Sequence, residues 1–264
     1  MERDPVAIIL FFRDFSSGER MVNNENSPIM VLGMHRSGTS CLAGSLQHNG
    51  LYLGDVHTWN PYNVKGNREN EKIINLNDDV MKFSGGSWDN PPTEIKWLND
   101  HIRVRDEVIR DLQRANRAWG FKDPRTLITL PFWKDGIKNP QFVGTFRHPH
   151  AVASSLAKRS RMPLEVAVEL WNTYNSKLLS IYETSPFPLI SFDVTEIEYQ
   201  QRVVDISHSF GLPYIPNNND FFDSKLRHND NNFFDSEYTI PNHIITMWTY
   251  LRDLYQEQIN YGKN

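Results

Sequence analysis

The chain has 264 residues, one cysteine and a formal net charge of −4, with 39% hydrophobic and 23% charged residues. That is enough apolar chain to bury a full core in one domain. The acidic balance excludes a protein that coats nucleic acid or anionic membrane, since such binding needs a broad excess of Lys and Arg. The lone Cys41 excludes an intramolecular disulfide and a cysteine-rich metal site, fits a reducing cytoplasmic setting, and reads as a small buried residue.

The first apolar run, Val6 to Phe12, is too short to span a bilayer and lacks the flanks of a signal peptide. Residues 1–27 read as an N-terminal extension or linker: either a strand plus a polar linker, or an extension preceding a natural start at Met21. The domain proper is expected over 28–264. Ile29 to Leu32 follows Pro28 and precedes Gly33, after which Leu42, Ala43 and Leu46 recur at helical spacing up to Gly50; this predicts strand, loop, helix. Leu51 to Arg68, rich in Gly, Asn, Pro and aromatics, reads as a long ordered loop running into a helix from about Glu69 to Phe83. Leu98, Ile102, Ile109 and Leu112 predict an amphipathic helix within Thr93 to Ala118, packed on a sheet.

Trp119 to Lys122 then reads as a short strand end, and Phe142 to Phe146 as a further strand followed by a helix over Pro149 to Lys158. Leu164, Val168, Trp171, Leu178 and Ile181 mark a long helix, Pro188 to Phe192 a strand, Ile197 to Phe210 a helix closed by Gly211, and Ile244 to Ile259 the last helix. Trp171 and Trp248 fall on apolar helix faces and read as core. The Asn- and Asp-rich stretch Asn217 to Asn232 reads as a surface loop. Alternating strands and helices without hairpin signals predict an α/β fold, three layers with a central parallel sheet, whose ligands bind at the carboxyl ends of the strands.

Gly33-Met34-His35-Arg36-Ser37-Gly38-Thr39-Ser40 lies between the first strand and its helix. A helix start leaves unpaired N–H groups and positive dipole, so an anion is held there, and glycines let the backbone approach it. The glycines match the G-x-x-x-x-G-K-[ST] spacing of nucleotide triphosphate loops, but Thr39 stands where that loop's lysine belongs and the cation has moved to Arg36. This counts against ordinary ATP or GTP hydrolysis. Here the chain resembles the sulfotransferase family, whose P-loop-like fold binds 3′-phosphoadenosine 5′-phosphosulfate (PAPS) through [KR]-x-G-T-[ST]; the match is Arg36-Ser37-Gly38-Thr39-Ser40. The resemblance implies that His35, Arg36, Ser37, Gly38, Thr39 and Ser40 hold the donor, with PAP (adenosine 3′,5′-bisphosphate) as product and no metal required.

Further along, Arg147 follows the Phe142 to Phe146 strand, and Ser155 lies eight positions on. An arginine at a strand end and a serine on the succeeding helix can converge on one phosphate. The family similarly uses an arginine and a serine at this spacing for the donor's 3′-phosphate. The bland alternative is an arginine paired with a carboxylate, with Ser154 or Ser155 filling a helix start. Phe121-Lys122-Asp123-Pro124-Arg125 looks like the strand end before this site in bacterial members, which implies that Lys122 stabilises charge on the transferring group. Asp123 and Arg125 read equally well as a structural ion pair.

Moving a sulfuryl group between oxygens relies on positioning and charge stabilisation, with a general base for the acceptor's proton. Asn63-Val64-Lys65-Gly66-Asn67-Arg68-Glu69 is similar to an N-x-x-G-x-x-E pattern of bacterial members, which makes Glu69 the first candidate base; His57 and Asp123 are its rivals, and a glutamate in the first turn of a helix also suits the dipole. Asn67-Arg68 departs from the family, which often has aromatics there. The resemblance further implies Lys225 and Arg227, in Asp223 to His228, as donor-phosphate contacts, while Trp59 and Trp88 lie in loop-like stretches suited to stacking on adenine or a sugar. The expected acceptor is a small molecule or glycan, with no nucleic acid polymer and no membrane insertion. An ATP-using kinase-like enzyme and a catalytically silent nucleotide-binding protein are the competing readings.

Overall fold

The computed structural model describes residues 27–59, 63, 65–215, 221 and 238–261. Within them, β1 (Ile29–Leu32), β2 (Gly120–Lys122), β3 (Gln141–Phe146) and β4 (Leu189–Ser191) form one sheet in the order β2-β1-β3-β4. Every pairing is parallel, with Val31 opposite both Lys122 and Val143, and Gly144 opposite Leu189. The chain passes from β1 outward to β2 and then returns across β1 to reach β3 and β4. Adjacent strands β1 and β3 therefore send their connections to opposite sides, which opens a crevice beyond their carboxyl ends.

The helices are α1 (Thr39–His48), α2 (Glu71–Phe83), α3 (Asn99–Gln113), α4 (Thr126–Gly136), α5 (Pro149–Ser160), α6 (Leu164–Thr184), α7 (Glu196–Ser209) and α8 (Asn242–Tyr261). The pleat of the sheet decides which layer each apolar residue feeds. Ile29 and Val31 pack with Leu42 and Leu46 of α1 and with Tyr199, Val203 and Ile206 of α7. Met30 and Leu32 face the opposite way, into a larger core with Val80, Val108, Phe132, Trp171 and Leu251. Each buried side chain of this size contributes about 1.5–3 kcal/mol. Because both faces are covered, β1 is buried throughout and shows no alternation in sequence.

Three expectations are corrected. The helix α4 was not anticipated: Thr126 to Trp133 is buried nearly all round, so no amphipathic stripe marks it, and Pro131 sits inside it. The helix expected within Thr93 to Ala118 is shorter, starting at Asn99, where the Nδ1 of His101 accepts from the N–H of Leu98 at 3.1 Å. It packs mainly on α2 and α4 rather than on the sheet, consistent with only Arg105, Val108 and Leu112 being buried along it. Cys41 is half-buried, its thiol 3.5 Å from the carbonyl of Phe221. Within the long loop, Tyr52 bridges in parallel to Trp119 at the outer side of β2. Expectations for Val6 to Phe12 and, apart from Phe221, for Asn217 to Asn232 lie outside the described residues. No described helix is long and apolar enough to cross a membrane.

Candidate active site

The loop from Gly33 to Gly38 leaves β1 at the crevice and turns directly into α1. Its shape depends on its glycines. Gly33, at φ 153°, has no room for a side chain, since a Cβ there would sit 2.5 Å from the carbonyl oxygen of Thr145. Gly38, at φ 87°, precedes α1 in the left-handed region, and a Cβ there would meet the Phe192 ring at 2.3 Å. With glycine at this position no side chain caps α1, so its first-turn amides stay available to an external anion. The loop is tied to β3 by Thr145, whose hydroxyl donates to the Ser37 carbonyl at 2.9 Å.

Arg36 crosses from this loop to α5, where its Nε donates to the hydroxyl of Ser155 at 2.8 Å. The two sequence clusters, 119 positions apart at these residues, therefore meet directly. Arg36 adopts φ 67°, a left-handed conformation rare outside glycine. Burial, together with Arg159 and Arg147, lowers its pKa to about 10. Crowded cations that depress one another are relieved by an anion among them, so this cluster and the glycine cradle fit a nucleotide's phosphates.

Arg147 emerges from β3 with its guanidinium 5.4 Å from the centre of the Phe192 ring and 3.6 Å from a carboxylate oxygen of Asp193. The other Asp193 oxygen accepts the His148 N–H at 2.6 Å, and the Trp171 indole donates to the Arg147 carbonyl at 2.9 Å. Ser154 pairs with His150 instead, at 3.2 Å. Of the two serines, it is Ser155 that shares the site with Arg36.

Lys122, at the end of β2, is buried and lies against α1. Its ammonium donates to Glu69 at 2.5 Å, to the Asn67 carbonyl at 3.0 Å and to Ser40 on the first turn of α1 at 3.2 Å. Glu69 is itself 8% exposed. It stands two residues ahead of α2, which is capped by Asn70. The dipole of that helix therefore does not account for Glu69, whereas its contact with Lys122 does.

Asp123 is fully enclosed: Arg125 donates to it through both backbone and guanidinium at 3.0 Å, and Asn77 through its amide at 3.1 Å. Arg125 also reaches Asp78 at 2.6 Å; burial pulls its pKa down, but Asp123 and Asp78 more than offset that and raise it. This is the structural ion pair that the sequence offered as one reading. His57 is exposed, and its backbone N–H and carbonyl pair with Glu69 and Arg68.

His35 turns from the loop into an aromatic pocket, its ring centre 4.9 Å from that of Trp88 and 5.8 Å from that of Tyr174. Its Nε2 is buried without a hydrogen-bond partner. Trp88 is thus engaged with the loop, whereas Trp59 is 66% exposed. Trp171 lies in the core; Trp248 is half-buried against the His148 ring at 4.4 Å. Lys225 and Arg227 lie outside the described residues.

Sequence reasoning missed Asp193, Asn77 and Arg159. Asp193 stands two residues beyond β4, so the rule that ligand sites gather at strand carboxyl ends was a usable signal. Asn77 sits on the same apolar stripe as Ile73, Val80 and Met81, and links Asp123, Thr129 and Trp133. Arg159 is one of two neighbouring exposed cations on α5, with Lys158, and no sequence signal singles it out.

No protein-family model and no curated protein matches the sequence. Solved structures do match. The sulfotransferase domain of the Synechococcus PCC 7002 olefin synthase superposes with a TM-score of 0.53 at 16% identity, over 89% of this chain and 95% of that one. The sulfotransferase domain from the curacin biosynthetic pathway superposes with a TM-score of 0.52, also at 16% identity, over 86% of this chain and 97% of that one. The protein has the α/β fold of sulfotransferase domains. The likeness first seen in short motifs extends to the architecture of most of the chain.

Proposed function

We propose that this chain is a sulfotransferase that moves a sulfuryl group from PAPS to a hydroxyl or amine of a small-molecule or glycan acceptor. The observation that carries this reading is the 2.8 Å bond from Arg36 to Ser155, which joins the two phosphate motifs at the switch point of the sheet. The bound donor supplies an activated sulfuryl group and a stable bisphosphate leaving group.

The chain's residues do the rest. The uncapped amides of α1, with Arg36, Thr39 and Ser40, stabilise charge growing on the leaving phosphate oxygen as its bond to sulfur breaks. Arg147 and Ser155 hold the far phosphate, and Ser37 and Gly38 keep the loop close to it. Lys122 turns from Glu69 toward the charged sulfuryl oxygens, and Glu69, relieved of its partner, takes the proton the acceptor loses as the new bond to sulfur forms. Holding the groups in line accounts for most of the acceleration, as in phosphoryl transfer.

The test is transfer of radiolabelled sulfate from PAPS to a panel of phenols, sugars and amines in the presence of EDTA. Labelled product that disappears with Arg36→Ala supports the assignment. Tight PAP binding with no transfer to any acceptor or to water refutes catalysis and leaves a nucleotide-binding protein.

A further inference from the structure

The segment Asn67-Arg68-Glu69 holds Lys122 from both ends. The Asn67 carbonyl accepts from its ammonium at 3.0 Å and the Glu69 carboxylate at 2.5 Å. Both can face one ammonium because Arg68, between them, turns the backbone at φ 56°. That left-handed conformation ordinarily goes to glycine or asparagine, since other residues are strained in it. An arginine there calls for contacts that offset the strain, and the side chain makes two. Its Nη1 donates to the side-chain oxygen of Gln47 at 3.3 Å, and its guanidinium lies 4.7 Å from the centre of the Phe221 ring.

The ring has a built seat on α1. Gly44 is buried in the middle of that helix, where glycine is a poor helix former, and a Cβ there would run into the Phe221 ring. The Cys41 thiol, on the preceding turn, donates to the Phe221 carbonyl at 3.5 Å. Arg68 is thus fastened to α1 through Gln47 and Phe221. Gln47 stands about two turns along that helix from Ser40, through which Lys122 meets its start. Other backbone bonds beside Glu69 hold the loop to itself: the Arg68 N–H donates to the His57 carbonyl, and the His57 N–H to the Glu69 carbonyl, each at 3.1 Å.

We propose that Arg68 is a positioning residue for Glu69: its tie to Gln47 and Phe221 keeps the carboxylate in place once Lys122 has left it. The proposal rests on the sulfotransferase reading above, in which Lys122 turns from Glu69 toward the sulfuryl oxygens. At that moment the ion pair that fixes Glu69 in this structure is broken. The tie to α1 persists, because it lies along the helix away from the phosphate loop and involves none of the reacting atoms. Since α1 also presents its first-turn amides to the donor, one helix then sets base and donor relative to each other.

The test compares Arg68→Gly in two backgrounds. Glycine accepts the left-handed backbone, so the variant removes the tie and spares the turn. Turnover with PAPS and an acceptor from the panel is expected to fall about ten- to a hundredfold, with the KM for PAPS and the calorimetric affinity for PAP unchanged. Adding Arg68→Gly to Glu69→Gln is expected to cause no further loss, because the base it positions is already gone. Arg68→Lys, which keeps a cation over the ring and a donor for Gln47, should retain most of the turnover. Gln47→Ala and Phe221→Leu leave the loop's own sequence intact; each should reproduce part of the loss with the same dependence on Glu69, so the outcome does not hang on the folding of one variant. Equal fold losses with and without Glu69, or wild-type turnover in Arg68→Gly, overturn the proposal while leaving the sulfotransferase reading standing. Failure of wild-type protein to transfer sulfate to any acceptor overturns that reading and the proposal with it.

Discussion

Replacing Gly38 with alanine probes the hinge between the phosphate loop and α1. At φ 87° any other residue is strained, by about 1–2 kcal/mol for a side chain in the left-handed region. The new methyl would also sit 2.3 Å from Cδ2 and 2.4 Å from Cγ of Phe192, so the ring or the loop must move. Overpacking of this kind costs about 1–3 kcal/mol. Together they give a loss of about 2–5 kcal/mol, against a typical domain stability of about 5–15 kcal/mol. Because Phe192 also underlies Arg147, the displacement should weaken PAP binding as well. Urea denaturation followed by circular dichroism should show a lower midpoint with an unchanged slope. In the double variant with Phe192→Ala the steric part should disappear and the backbone part remain, giving a favourable coupling of about 1–3 kcal/mol. A Gly38→Ala protein within 0.5 kcal/mol of wild type, or strictly additive losses in the double variant, would refute the reasoning.

Other outcomes follow from the same geometry. Arg36→Lys keeps the charge but loses the planar Nε donor to Ser155, so PAP affinity measured by calorimetry should fall by about ten- to a hundredfold. Lys122→Met strands Glu69 in a buried site and should cost about 3–5 kcal/mol in denaturation at neutral pH, with most of the loss recovered by adding Glu69→Gln. Glu69→Gln alone should lower turnover by about 10²–10⁴-fold with PAP affinity little changed; near wild-type turnover in both Glu69→Gln and Glu69→Ala would remove it as the base. For pH, the unfolded chain binds protons at its histidines near 6.5, while burial makes folded His35 resist them. The stability from neutral His35 is therefore complete above about 6.5 and is lost progressively as pH falls toward the depressed folded value. His35→Gln should flatten that part of the stability curve.

The parts of this structure that can be read in the sequence are those whose physics is local. Ile29 to Leu32 followed by Gly33 announced strand and loop because an apolar run ending at glycine has few other uses, and the phosphate loop carried its spacing within eight residues. The helix expected from about Glu69 to Phe83 was similarly visible and is α2. Helix α4 was not, because a segment buried on all sides has no polar face to set its period, and Pro131 argues against a helix interior. At the site, Arg36, Lys122, Arg147 and Ser155 were visible as residues, and their spacing grouped Ser155 with Arg147, but the bond from Arg36 to Ser155 was not visible. The pairing of Ser155 with Arg36 depends on β1 and β3 lying side by side, and the service of Asp193 to both Arg147 and His148 depends likewise on β3 lying beside β4. Such adjacency is a property of the sheet order, which no short window of sequence contains. The His35 pocket was hidden for the same reason, since Trp88 and Tyr174 come from distant segments.

A structure determined with PAP bound addresses the central claim most directly. One nucleotide should lie across the crevice between β1 and β3, with one phosphate on the α1 amides beside Arg36 and the other within hydrogen-bond reach of Arg147 and Ser155. A nucleotide that touches only one of these clusters, or that settles elsewhere on the chain, would contradict the account.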